Sequence, residues 1–335
     1  MTIPHTAGRV KRSSPRNPCP ICGGQGCGQI GESLVLCWRV QSDQPTRSGA
    51  WKHGALPYDQ KRLRQRVDPP ISPIERRHAV FSALLDRLPL SSFHADKLMQ
   101  ERGLDDAAIA RYQFASVPDY ATAGRVTKEL AAEFDLTQVP GFYLKDEPGD
   151  EFDAYFQPTW RLRFVGERMQ GFYIPLRDVQ GRIEALQIRR DAVDDEKFRY
   201  CLVSTPDDEF PAGAGSRAPY HFAGNVQAEK AVITEGGLKA TVCAQMLGCC
   251  MFGLVSVSTF QSSIGWQLRR DLPNLRELAI AFDADARANR AVACQLKRLQ
   301  EALEAAGYQP KLLTWPAELG KGLDDFLLNG GMRAE

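Results

Sequence analysis

Two short apolar runs that end in acidic residues place the strongest constraint on how this chain folds. The first is Val232-Ile-Thr-Glu235-Gly-Gly-Leu-Lys239-Ala240, and the second is Leu278-Ala-Ile-Ala-Phe-Asp283-Ala-Asp285. Uninterrupted apolar runs of this length are typical of strands in a parallel sheet, whose two faces are both covered by helices. After Glu235, two glycines allow a tight turn into a helix. The runs therefore predict an α/β domain with acids at its strand ends.

The acidic residues at the two strand ends are expected to converge. Asp283 and Asp285 point to the same side of an extended chain because they are two residues apart. In an open α/β sheet the carboxyl ends of the strands form the ligand crevice, where Glu235 would join them. Three carboxylates repel one another unless a cation neutralises them, and oxygen ligands suit Mg²⁺ or Mn²⁺. The sequence predicts a divalent-metal site for phosphate chemistry.

The length and composition indicate a globular protein of two or three domains. The chain has 335 residues, of which 43% are apolar and 25% are charged. No apolar run reaches the roughly 20 residues that a membrane-spanning helix needs, and the basic N-terminus lacks the apolar core of a signal peptide. We therefore expect a cytoplasmic protein with no membrane partner. The motifs GxGxxG and GxxxxGK[ST] are absent, which argues against a Rossmann dinucleotide enzyme and a P-loop ATPase.

Four of the nine cysteines crowd together near the N-terminus and indicate a zinc site. Cys19 and Cys22 form a Cys-x-x-Cys followed by glycine, the tight turn that places two thiolates on one metal ion. Cys37 ends a predicted strand and would supply another thiolate. Cys27 is the simplest fourth ligand, and His53 is the alternative. A redox Cys-x-x-Cys is the competing interpretation, but no thioredoxin-like strand and helix surround this one.

The N-terminal region also predicts an anionic partner. Residues 1–70 carry a net charge of +7, whereas the whole chain carries +1. Aromatic and basic side chains alternate here at Trp38, Arg39 and Lys52, a mixture that suits stacking on unpaired bases and contact with phosphates. The alternative is a small zinc-domain core with solvated charges.

A second basic group lies in the middle of the chain, on strands that we predict to be neighbours. Arg189 and Arg190 end the second strand of a predicted hairpin over residues 171–190, and Lys197 and Arg199 lie on a predicted strand over residues 197–203. A basic track across a sheet would hold a nucleic-acid backbone. The alternative is salt bridging to the acidic loop between these strands.

The C-terminal motifs resemble the Toprim domain shared by bacterial DnaG-type primases, topoisomerases and certain nucleases. The resemblance lies in Glu235-Gly236, in Asp283-Ala-Asp285 and in Lys321-Gly-Leu-Asp-Asp, in this order. The form Glu-Gly-x-x-Lys-Ala is similar to that of Toprim proteins from phages, plasmids and other mobile elements. The resemblance as a whole implies a zinc ribbon with a basic arm over residues 1–60, an α+β primase-core subdomain over 61–225 and a Toprim catalytic domain over 226–335.

The same resemblance assigns metal-dependent phosphoryl transfer to the acidic residues. Asp283 and Asp285 would hold the catalytic Mg²⁺ or Mn²⁺. Glu235 would hold metal or act as a general acid–base, and Asp324 or Asp325 would support a second ion. Two-metal chemistry of this kind activates an attacking hydroxyl and stabilises the leaving pyrophosphate.

The function implied by the resemblance is the synthesis of short RNA primers on a single-stranded DNA template from nucleoside triphosphates. Lys239, about one helical turn after Glu235, would neutralise phosphate charge, with a solvated helix charge as the alternative. The alternative functions are a Toprim nuclease and a non-catalytic single-stranded nucleic-acid-binding protein of a mobile element. No helicase-interaction domain follows the Toprim segment, so we expect either that a separate helicase or polymerase is recruited in a different way or that the protein acts alone.

Overall fold

The computed structural model describes most of the chain, and the chain divides into two compact units. The described residues are 10–13, 19, 21–22, 26–30, 34–46, 49–54, 70–147, 157–206, 210–217, 219–257, 259–284, 286 and 290–330. The first unit spans residues 1–68 and the second spans residues 69–335. A further boundary near residue 225, inside the second unit, remains a prediction.

The first unit contains a four-stranded antiparallel sheet with the strand order β1-β2-β3-β4. Its strands are β1 (Val10–Arg12), β2 (Gly28–Ile30), β3 (Leu34–Cys37) and β4 (Trp51–Gly54). The buried residues described in this unit are mainly cysteines, together with Val35 and Ala50. So small an apolar core agrees with the expectation that a metal ion stabilises this unit.

The second unit begins with four helices. They are α1 (Ile74–Asp86), α2 (Ser92–Asp96), α3 (Asp106–Tyr112) and α4 (Tyr120–Glu133), and a π-helical turn over Lys97–Glu101 continues α2. The side chains of Ser91, Asp105 and Asp119 each accept a hydrogen bond from the backbone N–H three residues further on. These caps satisfy otherwise unpaired donors and fix where α2, α3 and α4 begin.

An antiparallel sheet with the strand order β10-β9-β8-β5 and a separate hairpin, β6-β7, follow. The strands are β5 (Ala115–Ser116), β6 (Phe142–Glu147), β7 (Gln157–Leu162), β8 (Gly171–Arg177), β9 (Ile183–Arg190) and β10 (Tyr200–Leu202). The hairpin predicted over residues 171–190 is confirmed by the antiparallel pairing of β8 with β9.

The strand predicted over residues 197–203 is wrong in its first half. Residues Glu196–Phe198 form a turn of 3₁₀ helix, so Lys197 and Arg199 precede β10 instead of lying on it. The Arg199 guanidinium pairs with the Glu196 carboxylate across this turn. That local pairing closes the turn and delays the start of the strand.

Helices cover both faces of the antiparallel sheet. On one face, Phe81 of α1 and Leu130 of α4 share a core with Tyr173 of β8. On the other face, Leu98 of the π-helical turn packs in a core around Phe172 of β8. Neighbouring residues of β8 therefore enter different cores, as the period of two along a strand requires.

The C-terminal half of the second unit is built on a five-stranded sheet with the order β11-β13-β12-β14-β15. Its strands are β11 (His221–Ala223), β12 (Lys230–Glu235), β13 (Cys250–Leu254), β14 (Glu277–Ala281) and β15 (Lys311–Leu312), and its helices are α5 (Gly237–Leu247), α6 (Ile264–Asp271), α7 (Arg290–Ala305) and α8 (Leu323–Leu328). All neighbouring strands are parallel except β11, which runs antiparallel to β13. Helices α6 and α7 pack on one face, and α5 and α8 pack on the other.

This arrangement confirms the predicted parallel sheet with helices on both faces. It places Glu235, the last residue of β12, at the carboxyl edge of the sheet. Among the described residues, no helix is both long enough and apolar enough to cross a membrane.

Candidate catalytic and metal-binding sites

The turn from β12 into α5 holds Glu235 in place through two glycines. Gly236 has a φ of 89°, in the left-handed region that favours glycine. Its N–H donates to the Leu254 carbonyl at 2.6 Å. Its carbonyl oxygen lies only 2.4 Å from the point where a Cβ of Gly253 would stand. A side chain at residue 253 would therefore push this turn, and Glu235 with it, away from β13.

Asp283 lies two residues beyond the end of β14 and meets two lysines. The Lys239 ammonium on α5 forms a short ion pair with Asp283 Oδ1. Lys321 Nζ lies 3.9 Å from Asp283 Oδ2, and the Lys321 carbonyl accepts a hydrogen bond from Ala284 N at 2.9 Å. The chain segment before α8 is thus attached to the acidic end of β14. Asp285 lies outside the described residues.

Asp324 and Asp325, in the first turn of α8, are both bound by Arg102. Arg102 Nη1 donates to Asp324 Oδ2 at 2.9 Å and to Asp325 Oδ1 at 3.3 Å. Asp324 is only 4% exposed, and its Oδ1 has no hydrogen-bond partner. Asp325 Oδ2 accepts a hydrogen bond from Gly322 N at 3.2 Å, which caps α8. Arg102 therefore joins the helical region after α2 to the acidic residues of α8.

Two groups of this cluster have raised pKa values, Lys239 because of the neighbouring carboxylates and Asp324 because of burial. Burial alone lowers the pKa of Lys239, but the charges of Asp283 and Asp324 and the hydrogen bond to Asp283 outweigh it, so the pKa lies above its ordinary value. Burial raises the pKa of Asp324, although Lys239 and Arg102 act in the opposite direction. Lys239 is therefore a permanent cation among carboxylates at neutral pH.

The predicted acidic site is thus assembled in part by the described residues. The negative charges of Glu235, Asp283 and Asp324 each raise the pKa of the Lys239 ammonium. Their oxygens are the donor type that Mg²⁺ and Mn²⁺ prefer, so the chemistry of the site fits either ion. Within the described part of the chain, however, only the four N-terminal cysteines bring three or more ligand atoms within 4.8 Å of one another. The acids lie near one another, but lysines pair with Asp283 and an arginine pairs with Asp324 and Asp325.

The four cysteines of the first unit converge on one point. The sulfur atoms of Cys19, Cys22, Cys27 and Cys37 all lie within 4.8 Å of one another. The Cys22–Cys27 and Cys27–Cys37 sulfur distances are 3.8 Å and 3.9 Å. A zinc ion with Zn–S bonds of about 2.3 Å separates its tetrahedral sulfurs by about 3.8 Å. The cluster therefore has the dimensions of a Cys₄ zinc site.

Cys27 belongs to this cluster, and the imidazole of His53 instead makes a hydrogen bond to the Val40 carbonyl at 2.9 Å. The backbone N–H groups of Arg39 and Val40 point to Cys37 Sγ at 3.4 and 3.3 Å, as is common around metal-bound thiolates. Burial, outweighing a backbone hydrogen bond, raises the pKa of Cys27 to about 12. Without a cation the Cys27 thiol would stay protonated at neutral pH.

The other N-terminal residues predicted to bind nucleic acid lie at the surface of the first unit. Trp38, directly after β3, exposes 40% of its surface, and Lys52 on β4 is also exposed. The Arg39 guanidinium approaches Cys22 Sγ at 3.6 Å, so its side chain lies over the cysteine cluster. An exposed indole next to Arg39 in the sequence, with an exposed lysine on the same unit, is compatible with base stacking.

The basic residues of the middle sheet have different environments. Arg189 is 7% exposed, lies 5.9 Å from the Phe172 ring, and its Nε and Nη1 have no hydrogen-bond partner. Arg190 Nη2 donates to the Arg168 carbonyl at 2.8 Å. Arg199 pairs with Glu196, as the salt-bridge alternative anticipated. The Lys197 side chain lies outside what the structure describes. Of this group, Arg189 has the most buried nitrogens without a hydrogen-bond acceptor.

Sequence reasoning missed Arg102. It lies 222 residues before Asp324 in the chain, next to the π-helical turn, and no motif surrounds it. Only the folded contact identifies it.

One family model matches part of the chain, and solved structures with a similar fold are found. The model of a family described as a domain of unknown function (DUF3854) matches residues 225–334, a segment that contains Glu235, Asp283, Asp285, Asp324 and Asp325. No curated protein matches the chain.

Solved structures with a similar fold are bacterial primases. The RNA polymerase domain of Mycobacterium tuberculosis primase DnaG is 17% identical over 77% of this chain and 80% of its own, with a TM-score of 0.55. The zinc-binding and RNA polymerase domains of Aquifex aeolicus primase are 15% identical over 97% of this chain and 78% of their own, with a TM-score of 0.54. A DnaG primase catalytic domain bound to ssDNA is 16% identical over 76% and 75%, with a TM-score of 0.51. The second unit therefore has the fold of a primase catalytic core, and a Cys₄ cluster lies near the N-terminus.

Proposed function

We propose that this chain is a primase-like enzyme that synthesises short RNA primers on single-stranded DNA by metal-dependent nucleotidyl transfer. The observation that carries the proposal is the primase-core fold with acidic residues at the carboxyl edge of its parallel sheet. In open α/β sheets this edge is where ligands bind. We further propose that residues 226–335 form a Toprim domain and that the protein serves the replication of a mobile element.

The proposed chemistry uses the strand-end acids. Glu235, Asp283 and Asp285 would hold Mg²⁺ or Mn²⁺, which when bound supplies charge stabilisation for the attacking hydroxyl and the leaving pyrophosphate. Lys239 orients Asp283, since it contributes a buried positive charge at contact distance. Lys321 adds a second, more exposed cation on the other oxygen of Asp283, where triphosphate oxygens would approach.

The proposed template path uses the basic residues of both units. The buried guanidinium of Arg189 would add positive charge to this path. In the first unit, Trp38, Arg39 and Lys52 would contact unpaired bases and phosphates of single-stranded DNA. The ssDNA held by a structurally similar DnaG catalytic domain supports single-stranded DNA as the partner.

Incubation with single-stranded DNA, labelled nucleoside triphosphates and Mg²⁺ or Mn²⁺ tests this proposal. We expect short labelled oligonucleotides that alkali degrades and that are absent without template or in the presence of a chelator. Shortened DNA without new labelled product would instead assign a Toprim nuclease. Binding of the DNA with neither product would assign a non-catalytic binding protein.

A further inference from the structure

We propose that Arg102 and Lys239 take the place of a second divalent cation, so that the acidic centre binds one Mg²⁺ or Mn²⁺ ion. This inference rests on the proposed function, which requires a divalent ion at the strand-end acids. It changes the role of Asp324 and Asp325, for which the sequence resemblance implies a second ion.

Most of the oxygens of Asp324 and Asp325 are already bound by the protein. Arg102 Nη1 donates to one oxygen of each carboxylate, at 2.9 and 3.3 Å. The other oxygen of Asp325 caps α8 through Gly322 N at 3.2 Å. A metal ion could bind Asp325, or both acids together, only by displacing Arg102 or uncapping the helix, and Asp324 Oδ1 is the one oxygen left without a protein donor among the described residues.

Lys239 faces the remaining oxygen. The point where a Cβ of Gly322 would stand lies 2.8 Å from Lys239 Nζ and 2.4 Å from Asp324 Oδ1. The ammonium and the unpartnered oxygen therefore converge on the gap that the missing side chain of residue 322 leaves. Lys239 also contacts Asp283, so its charge lies between the strand-end acids and α8. A second divalent ion at this position would meet a buried cation at close range.

The charges of the centre agree with one ion. Five carboxylates are counted for the proposed centre. Four belong to described residues, Glu235, Asp283, Asp324 and Asp325, and the fifth, Asp285, is counted from the sequence motif. Three cations offset them, and they are Arg102, Lys239 and Lys321. The difference of two negative charges is the charge that a single divalent ion neutralises. Two divalent ions would leave the centre positive before any substrate phosphate arrives.

Mn²⁺ titration of the full-length, zinc-loaded chain, followed by electron paramagnetic resonance of the free ion, measures the stoichiometry directly. We expect one Mn²⁺ per chain in the wild type, a loss of affinity of about tenfold or more in Asp283→Asn, and unchanged stoichiometry in Asp324→Asn. Lys239→Met should gain a second Mn²⁺ because Asp283 and Asp324 lose their shared cation. Lys297→Met is the matched control, because Lys297 lies on α7 with its side chain 78% exposed and should leave one ion bound.

Two Mn²⁺ ions in the wild type, one of which is lost in Asp324→Asn, would overturn this inference and leave the proposed function intact. Absence of Mn²⁺ binding in the wild type would overturn both. A Lys239→Met chain that still binds one ion would overturn the role given to Lys239. Thermal unfolding of each variant separates a lost fold from a lost ion.

Discussion

His221 is a fully buried imidazole that supports the start of α5. Its Nδ1 accepts a hydrogen bond from Arg177 N at 3.0 Å. Its Nε2 therefore carries the proton and donates to Thr241 Oγ1 at 3.0 Å, and that hydroxyl donates to the Gly237 carbonyl at 3.2 Å. The chain of hydrogen bonds ends two residues after Glu235. His221 thus helps to position the turn that presents this acid.

Acid should destabilise the protein through His221. Burial, assisted by the charge of Arg177, lowers the pKa of His221 from 6.5 to about 3. Its stabilising contribution is therefore complete above pH 6.5 and is lost as the pH falls toward about 3. Between pH 7 and pH 5 this single group should cost about 2 kcal/mol of unfolding free energy.

Urea unfolding at both pH values, in the wild type and in His221→Gln, isolates this contribution. The variant should be less stable at pH 7, by about 1–3 kcal/mol, because Arg177 N or Thr241 loses its partner. It should also lose less stability than the wild type on acidification. Equal losses in the two proteins would show that His221 does not titrate in this way.

Arg189 gives a prediction for template binding. Its guanidinium is a buried cation of the sheet that we place on the template path, so its charge should contribute to affinity. Arg189→Met should weaken binding to single-stranded DNA about tenfold and reduce the slope of log K against log[salt] by ~0.7. Fluorescence anisotropy at several salt concentrations measures both quantities. Arg125→Met, which removes an exposed arginine paired with Glu129, should change neither. An unchanged slope in Arg189→Met would remove Arg189 from the template path.

At the scale of elements, the close approach of β13 to the β12–α5 turn is the main steric constraint on the site. Gly253→Ala should lower the unfolding free energy by about 1–3 kcal/mol, because its Cβ would collide with the Gly236 carbonyl. Primer synthesis should fall as well, because the collision moves Glu235. Chemical denaturation and the synthesis assay measure the two effects.

Gly124→Ala is the matched control for this substitution. Gly124 lies inside α4, and a Cβ there meets no atom within 4 Å. The substitution should stabilise the protein by about 0.5–1 kcal/mol, since alanine has the higher helix propensity. If Gly253→Ala were as well tolerated as Gly124→Ala, the turn would not depend on the contact with β13.

The elements that could be predicted are those with a local pattern. The apolar runs before Glu235 and Asp283 predicted β12 and β14, because a fully covered strand needs no polar alternation. The reversed direction of β11 could not be predicted, since three residues carry no information on pairing. The delayed start of β10 was missed because an ion pair three residues apart overrode strand propensity.

In the candidate site too, the residues with a local sequence pattern could be predicted and their distant partners could not. The strand-end pattern placed Glu235 and Asp283 in one region and the family resemblance added Asp324, and the charges of all three act on Lys239 in the structure. These acids are fixed by contacts between distant parts of the chain, such as the hydrogen bond between Arg102 and Asp324. Such pairs arise from packing of whole elements and leave no periodic signal in the sequence.

At the scale of the whole molecule, the two compact units should depend differently on zinc. Cys37→Ser removes one ligand from the cluster that supplies most of the core of residues 1–68. This unit should then lose bound zinc and become sensitive to protease, because small metal sites and their folds form together. The thermal transition of residues 69–335 should remain. Limited proteolysis and zinc analysis measure these outcomes.

Cys294→Ser provides the comparison for the zinc prediction, because Cys294 is an exposed cysteine on α7 outside the cluster. It should keep the zinc content and the protease resistance of the wild type. A Cys37→Ser protein that retains both would contradict the assignment of a structural zinc site.

Primer synthesis by Asp283→Asn tests the central claim most directly, because the substitution removes one charge at the end of β14 and keeps the shape of the side chain. With single-stranded DNA, labelled nucleoside triphosphates and Mg²⁺ or Mn²⁺, we expect synthesis to fall by on the order of 10²–10³-fold relative to the wild type. Zinc content and thermal stability should be preserved, and Lys297→Met should synthesise normally. Synthesis by Asp283→Asn within about twofold of the wild type would contradict nucleotidyl transfer at the strand-end acids.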